Sequence, residues 1–151
     1  MSQVVKVTEF LQYVKDQCTK LQVDFRLSDS LSVNVCDSDN PSPRAIGVFV
    51  TPTYESNRLI IRGKLRVAIK GRSRSSWIID LAHEYVHMLQ WFRDDPIFSG
   101  HFKGEIAYHK LEESTEHEAI RLLKQWGITI SNRQLRRSQQ YIAKQRENDK
   151  R

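Results

Sequence analysis

Apolar residues recur at three- and four-residue spacing through Val4, Val7, Leu11, Val14, Cys18 and Leu21, so residues 3–21 are expected to form an amphipathic helix. The period then shortens to two. Val23, Phe25 and Leu27 alternate with polar residues, as do Leu31, Val33 and Val35, which predicts two short strands joined near Ser28 to Ser30. The segment Asp37 to Pro43 reads DSDNPSP, a loop by its turn chemistry. Ala45 to Thr51 predicts a third strand and Pro52 to Asn57 a turn. Leu59 to Arg62 and Leu65 to Ile69 predict further strands, separated by Gly63. Basic residues alternate with apolar ones there, the pattern of an exposed or edge strand.

Helical spacing returns at Ser75 or Ser76, either of which can cap a helix running to about Phe92. Its apolar residues, from Trp77 to Trp91, lie nearly all round, so it is expected to be buried at the centre of the fold. Asp94 to Gly104 contains Pro96, Gly100 and Gly104 and predicts a loop. A further helix is expected from about Lys110 to Trp126, ended by Gly127. Ile128 and Ile130 bridge to a last helix capped by Ser131 or Asn132, whose apolar side is thin: Leu135, Tyr141, Ile142 and Ala143. Trp77, Trp91 and Trp126 are expected as core aromatics. The order predicts an α+β protein: an N-terminal helix, a small mostly antiparallel sheet, then helices. Residues 1–130 are expected to form the domain, and 131–151 a basic C-terminal helix.

Composition narrows the class. The chain has 151 residues, 39% apolar and 28% charged, which suits one globular domain and not a disordered chain. The apolar run Trp77 to Ala82 is interrupted by Asp80, so no bilayer span is expected. Lys6, Glu9 and Lys15 break any signal-peptide profile. Cys18 and Cys36 make neither a disulfide framework nor a CxxC site, and a cytoplasmic protein with free thiols is expected. The net charge of +6 sits in two patches, residues 58–74 and 131–151, on a body that is otherwise acidic. Such patches attract nucleic acid or acidic protein segments, and they equally serve as solvated faces.

One motif carries chemistry. His83-Glu84-Tyr85-Val86-His87 is HExxH on the central helix. Histidines at i and i+4 lie one turn apart on one face, so both imidazoles can reach one metal ion. Zinc lowers the pKa of a bound water toward ~7, and the adjacent carboxylate can take its proton for attack on a carbonyl. His83 and His87 are thus expected as ligands and Glu84 as general base. A catalytic zinc needs a third ligand. Glu112, Glu113, Glu116, His117 and Glu118 on the later helix offer one route, and His101, in the predicted loop, another. Asp80 shares the face of His83 and is a candidate to orient an imidazole, as is Glu113. Tyr108 or His109 could donate to an oxyanion.

HEYVH followed by Glu116-His117-Glu118-Ala119 at the head of an apolar stretch resembles the gluzincin metallopeptidases, above all the ImmA/IrrE-like group and small metallopeptidase-like proteins of bacteriophages. The resemblance covers about residues 3–126. It implies a zincin-like fold, a Zn2+ cofactor and an intracellular peptidase acting on protein or peptide substrates, in the bacterial host cytoplasm where the gene is a phage's. It also implies that the glutamate directly before Ala119, Glu118, is the third ligand, with Glu116 the second candidate. After Ala119 the chain departs from that group, with Ile120-Arg121-Leu122-Leu123 where a small polar residue and Phe-Ala are usual. His101-Phe102-Lys103-Gly104 bears a looser resemblance to the SprT group, which would make His101 the ligand. Leu59 to Ile69 resembles the edge strand along which gluzincins bind extended peptides. The competing expectation is a catalytically inactive or metal-stabilised binding module whose basic patches hold nucleic acid or phage or host partners; a structural phage component is a third.

Overall fold

The structure is a computed structural model that describes residues 2–35 and 43–150. Cys36 and residues 37–42 of the expected loop lie outside the described residues. Helix α1 spans Gln3–Lys20 and is capped by Ser2, whose side chain accepts from the Val5 amide. It buries Val7, Phe10, Val14 and Cys18, one stripe of the expected amphipathic pattern. Seven short strands follow: β1 (Asp24–Ser28), β2 (Val33–Asn34), β3 (Arg44–Ala45), β4 (Gly47–Val50), β5 (Thr53–Glu55), β6 (Arg58–Ile61) and β7 (Lys64–Ala68). Four helices complete the chain: α2 (Arg74–Phe92), α3 (Pro96–Phe102), α4 (Tyr108–Gln125) and α5 (Asn132–Asp149). The architecture is α+β, with five helices and small mixed sheets among the described residues.

The sheet differs from the expected one in three ways. Its main part is three-stranded, in the order β1-β7-β4, and β1 pairs with β7 in parallel. The two strands expected to be joined near Ser28 to Ser30 do not pair: β2 is only two residues long and pairs with β3. The predicted edge at Leu59 to Ile69 is divided. β6 forms a separate hairpin with β5, turning at Ser56 and Asn57, both with left-handed φ, while β7 is the central strand of the main sheet. The reason is burial: Leu65 and Val67 are fully covered by the helices, while Arg66 on the other face pairs with Asp24 at 2.8 Å. The edge facing the functional site is β4.

Helix α2 is central, as its all-round apolar composition requires. It begins at Arg74 after Ser73, two residues earlier than the expected cap. It packs against β4, β7, α1, α3 and α4. Phe10 meets Tyr85 and Trp126 edge-on, and Trp77 is buried in the same core. Trp91 lies against Phe98 of α3.

Two connections correct the loop assignments. Asp94 to Gly104 contains α3, with Asp95 capping and Pro96 in the first turn, where a missing N–H costs nothing. Gly100 lets Ile106 pack close to α3, since a Cβ there would lie 2.7 Å from Ile106 Cδ1 and that side chain would have to shift. Helix α4 ends at the left-handed Gly127. Beyond it, Ser131 and Gln134 form a capping box that starts α5. Helix α5 packs on α4 and buries Ile142, so the basic C-terminal segment is part of the folded body.

Candidate metal centre

Helices α2 and α4 pack closely, and this brings three side chains together. The Nε2 atoms of His83 and His87 lie 3.1 and 3.0 Å from the same oxygen, Glu112 Oε2. One ligand atom from each of the three residues falls within 4.8 Å of the others. The two rings stand nearly perpendicular, 4.8 Å apart.

The surroundings orient every member. His87 Nδ1 lies 3.0 Å from Gln90 Oε1, and Gln90 Nε2 donates to Thr115 Oγ1 at 3.0 Å. The amide orientation is set by that chain, so Gln90 Oε1 accepts the Nδ1 proton and Nε2 is turned toward Glu112. His83 Nδ1 faces Glu116 Oε2 at 3.4 Å. Tyr108 and Tyr141 both donate to Glu112 Oε1, at 2.7 and 2.6 Å. Burial alone would raise the Glu112 carboxyl, but hydrogen bonds from both imidazoles hold it far below the usual range. Burial would depress His83, yet the carboxylates of Glu112 and Glu116 raise it well above an ordinary histidine. Burial, then the charge on Glu112, pushes both tyrosines upward, so they stay protonated donors.

Glu84 stands half-buried beside this group, its carboxyl raised mainly by burial. Gly47 of β4 makes room for it: a Cβ at Gly47 would lie 2.9 Å from Glu84 Cγ. A cleft of about 700 Å³ opens over His83, Glu84, Glu112 and Glu116, with β3 and β4 on one side and α5 on the other.

Do these residues suit a metal ion? Three buried ionisable side chains within one hydrogen-bonded group are costly unless a cation or a full set of partners compensates them. The set is not full, because Glu116 Oε1 is buried with no hydrogen-bond partner. Two imidazoles and a carboxylate, each held from behind by an acceptor or donor, form a donor set that fits a divalent transition metal.

The structure brings His83, Glu84 and His87 together as expected but differs over the third ligand position. Glu118 is not there. Its carboxylate is clasped at 2.7 and 2.9 Å by Arg93, the residue that ends α2. The inward face of α4 carries Leu111, Glu112, Thr115, Glu116, Ala119 and Leu123. Six places after Glu112, Glu118 is turned about 120° from it around the helix, at the flank of that face and toward Arg93. His101 stays on α3, with Nδ1 near the Ile106 carbonyl at 3.1 Å. Asp80 pairs with Arg72 and Glu113 with Arg146, so neither holds an imidazole. His109 binds Asp149 through its backbone and ring nitrogens, and His117 is exposed.

Sequence reasoning passed over Gln90, Thr115, Gly47 and Tyr141, and it named Glu112 only as one of five. The spacing Leu111, Thr115, Ala119, Leu123 marks the inward face of α4, and Glu112 and Glu116 fall on it. That signal was available. No family model, no curated protein and no solved structure matches the chain significantly.

Proposed function

We propose that this chain is a zinc-dependent metallopeptidase of zincin-like build, acting in the cytoplasm on protein or peptide substrates. The observation that carries the reading is the convergence of His83, His87 and Glu112, of which His83 and Glu112 line a cleft that also holds Glu84. When bound, zinc would supply a Lewis acid that polarises a carbonyl and acidifies a water, with a fourth position left open.

The chain's own residues do the rest. Gln90 and Glu116 accept from the Nδ1 side of the histidines and turn each Nε2 toward Glu112, so that the three would hold the ion together. Tyr108 and Tyr141 occupy one oxygen of Glu112 and leave the other for coordination. Glu84 accepts a proton from the attacking water and returns it to the departing amine. The edge strand β4, bordering the cleft, offers backbone groups to an extended peptide.

The test combines metal analysis with one variant. The purified protein is expected to hold about one zinc and to hydrolyse an unfolded protein. Glu84→Gln is expected to keep the zinc and lose activity by about 10²-fold or more, the usual scale for removing a general base. Undiminished hydrolysis by Glu84→Gln would remove the base assignment. Zinc without hydrolysis in the unaltered protein would favour the metal-stabilised binding module.

A further inference from the structure

We infer that Arg137 and Lys144 of α5 make the cleft selective for peptides carrying carboxylate side chains, an inference that rests on the peptidase reading of the site. Arg137, Ser138, Tyr141 and Lys144 lie three, four, seven and ten residues after Gln134, on one helix face, and all five line the cleft. Tyr141 fixes the rotation of this face, because its hydroxyl reaches Glu112. Gln134 fixes it again by donating to the Ser75 carbonyl at the start of α2.

Four cationic side chains line the cleft, and two of them are already held in place. Arg72 is held by Asp80 and by the Ala68 carbonyl. Arg44 is held by Ser32 and Asn34. Arg137 and Lys144 are exposed and have no ion pair or side-chain hydrogen bond among the described residues. Both are therefore free to turn toward a ligand, whereas Arg44 is fixed in place by neutral groups. The patch at residues 58–74 contributes only Arg72 to the cleft, so the unheld charge there lies on α5.

The floor decides which polyanion fits. Asp80, Glu84, Glu112 and Glu116 all line the cleft. A nucleic-acid strand would carry a phosphate at every step across these carboxylates. A peptide crosses them with an uncharged backbone and projects acidic side chains only toward the α5 wall. The cleft volume of about 700 Å³ suits a short extended segment.

The experiment uses the zinc-loaded Glu84→Gln protein, a fluorescent glutamate-rich peptide and its glutamine twin, with affinity read by anisotropy. The acidic peptide is expected to bind roughly tenfold more tightly than the twin, as two exposed ion pairs would give, and less so at high salt. Adding Arg137→Glu and Lys144→Glu is expected to remove that preference while zinc content and thermal midpoint stay unchanged. Equal binding of the two peptides, or a preference that survives the charge reversal, overturns the inference. So does tighter binding of a single-stranded oligonucleotide that displaces the peptide. Cleavage of both peptides by the unaltered protein is scored separately. If it cleaves them at equal efficiency, selectivity fails and the peptidase reading stands. If the acidic peptide binds selectively but is never cut, selectivity stands and the peptidase reading fails.

Discussion

The hydroxyl of Tyr141 donates to Glu112 Oε1 at 2.6 Å, joining the C-terminal helix to the carboxylate that faces both histidines across 29 residues of chain. The basic tail is therefore a wall of the site. Tyr141→Phe keeps the ring and removes only the donor. Partners of metal-binding carboxylates typically change affinity by about 10- to 100-fold, and the lower end is expected here because Tyr108 still donates to the same oxygen. Zinc competition with a chelator measures the effect. An unchanged affinity would mean that the tyrosine only packs.

Gly47→Ala separates activity from stability. The new methyl would meet Glu84 Cγ at 2.9 Å and push that side chain from its position. In a strand, Ala is no worse than Gly for the backbone, so the thermal midpoint is expected to hold or rise slightly. Zinc content is expected to persist while hydrolysis falls. Full activity in Gly47→Ala would show that Glu84 does not need this site.

Cys18 provides a test of the core. It is buried against Met88, and burial pushes its thiol up to about 12 from an ordinary value of 9.0. The unfolded thiol thus ionises first. Its contribution to stability is complete below about pH 9 and declines as pH rises from there toward 12, at no more than about 1.4 kcal/mol per pH unit. In a Cys36→Ser background, alkylation at pH 8 is expected to be slow in the native protein and fast in denaturant. Rapid native labelling would contradict the packing of α1 on α2.

Much of this fold was legible because local rules produce it. The three- and four-residue apolar spacing located α1, α2 and α4, and HExxH placed three site residues on one helix turn. What was not legible is mostly non-local. The parallel pairing of β1 with β7 depends on chain passing over dozens of residues, and nothing in either strand encodes its partner. Helix α3 was hidden because Pro96 and Gly100 read as breakers, although Asp95-Pro96 is also a helix start. The choice of Glu118 came from a resemblance in a short motif. The rotation of α4 about its own axis is set by Leu111, Ala119 and Leu123 in the core, and that rotation presents Glu112.

The most direct measurement is zinc content in two variants, Glu112→Ala and Glu118→Ala, each confirmed as folded by circular dichroism. Glu118→Ala loses a partly exposed pair with Arg93, which is worth at most about 1 kcal/mol, and is expected to retain about one zinc per chain. Glu112→Ala is expected to lose the metal. Retention of zinc by Glu112→Ala together with its loss from Glu118→Ala would contradict the site described for α2 and α4.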